Sequence, residues 1–396
     1  MMGASGTWPP FLLSAGTAYL GYSNRMRLDL SEDQILFHET TARFIEAELP
    51  IAATRALHDD PVGFDRGWLQ KAATLGWFAM FVPEADGGGS VSGNPIVDAS
   101  IVAEEIGRHV QPGPFVPMNV VAATIAAYGS AEQRARWLPQ LVTAETIATW
   151  AFADHAGAWD AGWGVELTDG VLQGRRAFVQ DARSADVLLV LASRAGQPVQ
   201  VVVSTDATGV RIDPLSSLDL SRRFAHVTFD HVAIDDAHVL AGVDLDAQLH
   251  TAIALNVADT VGAADHLLTM TVAYAKERIA FGRPIGSFQA LKHLLADQLV
   301  LLETSKAAVD ALQRALVNDD SSVAEVASMV AGYVGDVAND IAQECLQVHG
   351  GIGYTWEHNL HLLLRRIRSN AALYGEPTWH RERVCALHGL GEEVQP

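Results

Sequence analysis

The hydrophobic pattern changes its period twice along the chain, and this limits the folds that the sequence can adopt. From Leu30 apolar residues recur at helical spacing, as in LSEDQILFHETTARFIEAEL, which Ser31 is placed to cap. From about residue 146 the segments become short, β-branched or alternating, which indicates strands without intervening helices; the predicted strands lie in IATWAFAD, VLQGRRAFVQ, DVLLVLAS, PVQVVVS and FAHVTFDHVAI. From about residue 244 four long helical segments return, which favours a bundle. The predicted helices after the first cover 67–77, 95–108, 115–128, 131–143, 246–277, 287–317, 322–348 and 357–373.

This order predicts an α+β protein of three parts: an N-terminal helical domain over 28–145, a middle β domain over 146–243 and a C-terminal helical bundle over 244–396. A run of strands without helices between them is typical of an antiparallel barrel or sandwich. The first residues are treated separately, because WPPFLLSAGTAYLGY is apolar yet no Lys or Arg precedes it, unlike a secretory signal. We interpret residues 1–27 as an extension, and a candidate for disorder, ahead of the folded part.

Composition argues against several classes of partner. The formal net charge of −20 is opposite to the basic footprint that nucleic acid requires. No stretch of about 18 uncharged apolar residues predicts a membrane span. Cys345 and Cys385 are too few for a disulfide framework or a cysteine metal cage, so we expect a reducing cytoplasm and no metal. An anionic ligand would have to be met by local cations or helix N-termini.

A break between two predicted helices, YAKERIAFGRPIGSFQALKHLLAD over 274–297, is unusual for a plain core segment. Glycines and a proline end one helix, and Ser287 is placed to cap the next. The functional side chains beside this break are Arg278, Phe281 and Gln289. The segment is either a helix–turn–helix corner with a surface arginine or an anion site in which a guanidinium and exposed N–H groups receive a pyrophosphate.

A second segment, QVHGGIGYTWEHNLHLLLRR over 347–366, takes a predicted helix into three glycines. Gly350, Gly351 and Gly353 fit an ordinary helix C-cap, but they also let a ligand approach the backbone closely. Alone, this pattern of glycines is a weak indication of a binding site.

Together with the domain order, these two segments resemble signature segments of the acyl-CoA dehydrogenase family, and LGWFAMFVPEADGGGS with VAEEIGR over 102–108 resembles its N-terminal signature. The resemblance covers roughly residues 28 to 390. It implies an N-terminal helical domain, a middle antiparallel β-barrel and a C-terminal four-helix bundle, assembled as dimers or tetramers. It also implies a flavoprotein oxidoreductase of fatty acid or lipid metabolism, which uses FAD to dehydrogenate an acyl-CoA and passes electrons to electron-transfer flavoprotein or a similar acceptor.

The resemblance also implies roles for particular residues at an FAD site between subunits. The side chains of the first segment would contact the adenosine diphosphate part of FAD, and the second segment would contact it from a neighbouring subunit. The residues concerned are Arg278, Phe281, Gln289, Gln347, Gly350 and Gly351. Because all six are present, we expect the chain to retain FAD.

The middle domain departs from the family pattern beside the flavin. Relatives carry a T-E-x-x-x-G-S-D segment, which is matched here by FADHAGAWD with Asp154, Gly157 and Asp160. Relatives also place Trp-x-Thr beside the flavin ring, where this chain has Phe178 and Gln180. Phe178 is thus a candidate to pack on FAD, whereas Gln180 replaces the hydroxyl near flavin N5.

The reaction that the resemblance implies needs a base for the α proton while a hydride leaves the β carbon, and a carboxylate in a dry cleft suits that base. In the family the base is a Glu, either in a Y-E-G-T turn or on the first bundle helix. The turn here reads LYGEPT, and Glu376 falls one or two residues beyond the family position. The helix position is Ala252, and Asp259 lies two turns further on, about 10 Å away. We therefore expect Asp259 to serve packing or a hydrogen bond.

Several interpretations stay open at this stage. Glu376 either acts as the base from a shifted turn or is a solvated carboxylate. Alternatively, the chain is the partner subunit of a mixed complex, in which an unlike chain brings the base and this one completes the FAD site. A third possibility is other flavin chemistry, as in monooxygenases or nitroalkane oxidases, with His349, His358, His361 and His380 as candidate acids or bases. Short branched and bulky steroid-like acyl groups are equally compatible with the sequence.

Overall fold

The computed structural model describes residues 30–154, 159 and 164–390, so the predicted extension over 1–27 lies outside the described residues. The helices before the sheet are α1 Glu32–Glu48, α2 Ile51–Ala56, α3 Arg66–Ala73, α4 Pro95–Arg108, α5 Phe115–Tyr128 and α6 Ala131–Val142. The helices after it are α7 Leu245–Glu277, α8 Gln289–Val317, α9 Val323–His349, α10 Leu360–Asn370 and α11 Pro377–Leu387. The strands are β1 Ala148–Ala151, β2 Val165–Thr168, β3 Val171–Gln180, β4 Val187–Arg194, β5 Gln197–Ser204, β6 Val210–Leu215, β7 Phe224–Ala233, β8 Ile279–Ala280 and β9 Arg283–Pro284.

Capping interactions determine where helices begin. At α1 the Ser31 hydroxyl accepts the Gln34 backbone N–H at 3.2 Å and the Gln34 side chain accepts the Ser31 N–H at 3.0 Å, a capping box that confirms the predicted cap. At α8 the predicted cap was wrong. The helix begins at Gln289 without a side-chain cap, because a 3₁₀ turn over Ile285–Ser287 carries the chain past Ser287 before the helix starts.

The middle strands form a seven-stranded sheet in the order β1-β4-β2-β3-β7-β6, with β5 paired to β4. Four pairs are antiparallel, as predicted, but β4 pairs in parallel with both β1 and β2. The sheet is therefore mixed rather than wholly antiparallel, and no pairing among the described residues closes it into a barrel. Parallel neighbours need a crossover instead of a hairpin, and the chain leaves β1 at Ala151 and reaches β4 only at Val187, after forming β2 and β3.

Helix α7 is the centre of the C-terminal part and packs against α8, α9 and α10. Helix α4 of the N-terminal part also packs on α7, at a distance that two glycines allow. A Cβ on Gly107 would lie 1.8 Å from the Asp259 carbonyl oxygen, and one on Gly262 would lie 1.9 Å from the Glu104 carbonyl oxygen. The arrangement of N-terminal helices, central sheet and C-terminal helices confirms the predicted α+β fold class.

Across the described ranges, no helix combines the length and the apolar character that a membrane crossing demands.

A buried group of charged and polar side chains joins these parts. Arg366 on α10 donates to Asp219 at 2.6 Å and to Asp259 at 2.9 Å, and Arg222 donates to the same Asp259 oxygen at 2.9 Å. Asn370 donates to the other Asp259 oxygen at 2.7 Å. Asp219 and Arg222 belong to the connection between β6 and β7, whereas Asp259 belongs to α7. These five residues, here called the ion cluster, tie the sheet to the helical bundle, and Asp259 has the hydrogen-bonding role expected of it.

Every guanidinium nitrogen of Arg366, the most buried member of the ion cluster, donates at least one hydrogen bond. Besides its bonds to Asp219 and Asp259, Arg366 donates from Nη2 to the Gln111 carbonyl oxygen at 2.8 Å and to the Ser221 hydroxyl at 2.5 Å. Burial alone would lower the pKa of Arg366 and raise the pKa of Asp219, but their mutual attraction reverses both shifts. Both groups are therefore charged at neutral pH, and the N-terminal helices are joined to the same cluster through Gln111.

Replacing Arg366 by Met should lower the free energy of unfolding by about 3–5 kcal/mol, because it leaves two buried carboxylates short of donors. Chemical denaturation followed by circular dichroism and tryptophan fluorescence measures the loss. The matched control is Arg381→Met, which removes an exposed ion pair with Asp336 and should cost less than about 1 kcal/mol. Equal losses in the two variants would contradict the role assigned to the ion cluster.

Candidate active site

Aromatic side chains line a small cavity where β1, β3, α5 and the turn after α10 meet. The rings of Trp150 and Phe152 stack with centroids 4.0 Å apart and planes 9° apart. The ring centroid of Trp159 lies 5.7 Å from that of Phe152 and 5.3 Å from that of Tyr374. These four residues, here called the aromatic cluster, fill the region in which the segments FADHAGAWD and LYGEPT meet. Gly157 and Asp160 of the first segment lie outside the described residues.

A buried arginine fixes the backbone beneath the aromatic cluster. Arg176 on β3 is 1% exposed and donates to the carbonyl oxygens of Phe152 and Leu191, at 3.0 Å in each case. Burial lowers the pKa of Arg176 to about 10, so the guanidinium is still charged at neutral pH. The start of the segment that carries Trp159 is therefore anchored to the sheet.

Gln180, which replaces a hydroxyl in the family pattern, lies in the cavity wall. Its amide nitrogen donates to the Gly113 carbonyl oxygen at 3.2 Å and to Asp181 Oδ2 at 3.1 Å. Both amide hydrogens are thereby used, so Gln180 can offer a ligand only its carbonyl oxygen. Burial raises the pKa of the neighbouring Asp181 to about 7.

Phe178 lies at the rim of the same cavity. Its side chain is 43% exposed, its backbone is left-handed at a φ of 47°, and the nearest ring, that of His226, is 5.9 Å away. The phenyl ring is thus partly exposed at the cavity rim, and its role beside a flavin stays a prediction.

The turn after α10 brings Tyr374, and not Glu376, to the cavity. Tyr374 is 6% exposed and left-handed at a φ of 63°, and burial raises its pKa to about 12. Glu376 is exposed at the N-cap of α11 and makes no side-chain capping bond. Ala252, at the family's other base position, is fully buried in α7. Among the described residues that line the cavity there is neither Asp nor Glu.

The candidate histidines do not converge on the cavity. His380 lies under the Tyr374 turn, where a Cβ on Gly375 would lie 2.8 Å from its Nε2. Burial lowers the pKa of His380 to about 4, and Arg383 adds to this effect. His349, His358 and His361 instead surround the 3₁₀ turn Gly350–Tyr354 at the end of α9.

The first predicted FAD segment lies on the surface at the end of α7. Phe281 is 95% exposed and left-handed at a φ of 52°, which is uncommon for a bulky residue, and its ring meets Phe288 edge-on at 6.2 Å. Arg278 and Gln289 are also exposed. The guanidinium of Arg278 has no carboxylate partner in the described part of the chain. These side chains are therefore free to contact a ligand.

The second predicted FAD segment lies beside the first in the same chain. Tyr274, in the last turn of α7, stacks on His349 with ring centroids 4.5 Å apart. No atom lies within 4 Å of where a Cβ on Gly350 or Gly351 would stand, so their backbone is open to a ligand. The two segments together, here called the outer clamp, comprise Arg278, Phe281, Gln289, Gln347, Gly350 and Gly351.

Two buried polar atoms beside the outer clamp have no hydrogen-bond partner among the described residues, namely Ser287 Oγ and His349 Nε2. His349 Nδ1 contacts the Cys345 carbonyl oxygen at 2.9 Å and must donate to it, so Nε2 carries a lone pair. Buried polar atoms are ordinarily paired, so these two are available to a polar ligand bound at this position.

Trp150, Trp159 and Tyr374 were not predicted as site residues. The spacing of Trp150 and Phe152 indicates one face of a strand, which is the available sequence signal. Their contact with Tyr374 joins distant parts of the chain and has no local signature.

The stability of the fold should fall as the pH drops from about 6.5 toward 4, because the folded pKa of His380 lies below its unfolded value and folding therefore opposes its protonation. The loss should reach about 3 kcal/mol for this group. Denaturation at pH 7.5 and pH 4.5 measures it, and His380→Gln should remove most of this contribution. His293→Gln, at an exposed histidine, is the matched control. An unchanged acid dependence in His380→Gln would refute the assignment.

Comparisons with known proteins agree with the sequence segments. The acyl-CoA dehydrogenase N-terminal domain model matches residues 31–145, and the C-terminal domain model matches residues 246–386. The chain is 30% identical over 359 residues to acyl-CoA dehydrogenase IpdE2 of Mycolicibacterium smegmatis, which covers 90% of this chain and 99% of that protein.

Solved structures share the fold. A chain of the ChsE4-ChsE5 complex from Mycobacterium tuberculosis has a TM-score of 0.84 at 22% identity, over 92% of this chain and 99% of that one. A glutaryl-CoA dehydrogenase from Mycobacterium smegmatis in complex with FADH2 has a TM-score of 0.83 at 21% identity, over 93% of this chain and 97% of that one. The chain therefore belongs to the acyl-CoA dehydrogenase family.

Proposed function

We propose that the chain takes part in FAD-dependent α,β-dehydrogenation of an acyl-CoA thioester, as the subunit that completes the FAD site of an unlike acyl-CoA dehydrogenase chain. The observation that carries the proposal is a contrast between two regions. All six residues of the outer clamp are present and all but Gly350 are exposed, whereas the aromatic cluster fills the cavity in which an acyl group and a base would have to meet.

The outer clamp fits the adenosine diphosphate half of FAD. An exposed guanidinium such as Arg278 pairs well with a pyrophosphate, and the free ring of Phe281 can stack on a base. Gln289 begins α8, where unpaired N–H groups and the helix dipole favour an anion. Gln347 and the open backbone of Gly350 and Gly351 would contact the FAD of a neighbouring subunit, as the family resemblance implies. The unpartnered Ser287 Oγ and His349 Nε2 support the same assignment.

Among the described residues that line the cavity, none is a carboxylate that could serve as the base at the α carbon. FAD, when bound, supplies the acceptor for the hydride that leaves the β carbon. Tyr374 occupies the cavity but is neutral at pH 7, because burial raises its pKa to about 12. Glu376 is exposed at the start of α11. The α proton would therefore go to a carboxylate of the unlike chain, and electrons would leave the assembly to electron-transfer flavoprotein or a similar acceptor. The similarity to a chain of the ChsE4-ChsE5 complex supports a mixed assembly.

A second candidate function is a self-sufficient acyl-CoA dehydrogenase, assembled from like chains, in which Glu376 is the base. Phe178 favours it, because its exposed ring at the cavity rim offers a face to a flavin. This function requires the aromatic cluster to open and the turn after α10 to bring Glu376 inward.

Expressed alone, the chain should purify without FAD. Co-expression with an unlike acyl-CoA dehydrogenase chain of the same genome, gene neighbours first, should give a yellow complex that an acyl-CoA bleaches without oxygen. Within that complex Arg278→Gln should weaken FAD binding by about tenfold or more, because a charge-assisted bond is lost. Arg211→Gln, at an exposed arginine of the sheet, is the matched control and should leave the affinity unchanged. A yellow and active protein purified alone would contradict the partner role.

In an active preparation, Glu376→Gln should leave kcat and KM unchanged, because the carboxylate is exposed and makes no capping bond. Steady-state assays with an acyl-CoA and an electron acceptor measure both constants. Glu382→Gln, at another exposed carboxylate of α11, controls for general charge effects. A loss of about 100-fold or more in kcat for Glu376→Gln alone would support Glu376 as the base.

A further inference from the structure

The chain that follows Gly350 and Gly351 lies against α2, a helix from the opposite end of the sequence. Arg55, near the end of α2, donates from Nη1 to the Glu357 carbonyl oxygen at 2.5 Å. The same nitrogen donates to Asn359 Oδ1 at 3.1 Å. One guanidinium thus holds two positions of the loop that joins the 3₁₀ turn Gly350–Tyr354 to α10.

Aromatic contacts also fix this loop in position. The ring of Trp356 lies between two histidines, with the His58 ring at 4.6 Å and the His361 ring at 5.2 Å. His361 Nε2 also contacts the Trp356 carbonyl oxygen at 3.1 Å, to which it must donate. Because His58 directly follows α2 and its C-terminal turn, both holds on the loop come from the same short element.

The end of α2 is itself fixed to the centre of the fold. The Arg223 guanidinium donates to the carbonyl oxygens of Leu57 at 2.8 Å and Asp60 at 2.8 Å, and it reaches that of His58 at 3.2 Å. Arg223 directly follows Arg222, a member of the ion cluster. Contacts therefore run without a gap from the ion cluster through α2 to the loop after the outer clamp.

The 3₁₀ turn has little other cover on its outer side. Ile352 is 45% exposed and Tyr354 is 75% exposed, while Gly351 is also exposed. The turn is anchored from below by the buried Gly353 and by His349 on Tyr274. The contacts from α2 therefore fix the position of the loop that follows the 3₁₀ turn.

We propose that Arg55 and His58 are positioning residues of the outer clamp. They hold Trp356 and Asn359 and thereby set where Gly350 and Gly351 present their backbone to the dinucleotide. The inference rests on the proposed FAD role of the outer clamp, and it adds the N-terminal helices to that site. A residue with a merely structural role would change stability without changing flavin affinity.

The test uses the complex of this chain with its unlike partner, in which the FAD dissociation constant is measured by flavin fluorescence. Arg55→Gln should raise that constant about tenfold and Arg55→Lys about threefold, because the first removes the charged donor and the second keeps one. Arg66→Gln is the matched control, since Arg66 also joins an N-terminal helix to another part of the chain, through Asp186 and the Glu145 carbonyl oxygen. It should leave the constant unchanged.

A second measurement needs no flavin. In the FAD-free complex, amide hydrogen exchange over residues 350–359 should become faster in Arg55→Gln and stay unchanged in Arg66→Gln. Equal FAD affinities in Arg55→Gln and the unaltered complex, or unchanged exchange over 350–359, would overturn the inference alone. A complex of unaltered chains that takes up no FAD would overturn the proposed function, and the exchange data would still show whether α2 holds the loop.

Discussion

The buried pairing of Arg366 with Asp219 and Asp259 is the interaction on which the rest of the structure depends. Burying a guanidinium and two carboxylates is unfavourable unless each is paired and hydrogen-bonded. The elements that carry them therefore have one mutual arrangement in which all are satisfied, with α10 and the β6–β7 connection docked on α7. Asn370, the last residue of α10, bonds the same Asp259, so the turn that follows begins from a fixed point.

Both candidate regions inherit their positions from this cluster. The chain needs only a few residues after Asn370 to reach Tyr374, whose ring lies 6.4 Å from that of Trp150 and closes the cavity. In the other direction, Arg223 follows Arg222 and binds carbonyl oxygens at the end of α2, which contacts the loop after the outer clamp. The ion cluster is thus connected by direct contacts or by a few residues of chain to both the cavity and the loop after the outer clamp.

Periodicity predicted the fold class because it depends on which face of each element is buried. The predicted helices over 95–108 and 115–128 coincide with α4 and α5, and the strand VLQGRRAFVQ coincides with β3. The short strands β2 and β6 were missed, and the parallel pairing of β1 with β4 has no local signal. Helix α11 is not among the predicted helices; it begins at Pro377, and proline is favoured at a helix start. The glycines made the segments of the outer clamp recognisable in the sequence. The aromatic cluster could not be predicted, because it depends on tertiary contacts.

The exposure of the outer clamp has an energetic consequence. A phenyl ring left in water, as that of Phe281 is, gives up about 1.5–3 kcal/mol that burial would return. Its left-handed backbone costs on the order of 1 kcal/mol or more in addition. A ligand or partner that covers the Phe281 ring recovers the burial energy. Any molecule that binds only the folded chain stabilises the folded state. The aromatic cluster, in contrast, stabilises the chain without any ligand. The aromatic cluster is thus already largely buried without a ligand, whereas the ring of Phe281 is covered only when a ligand or partner binds there.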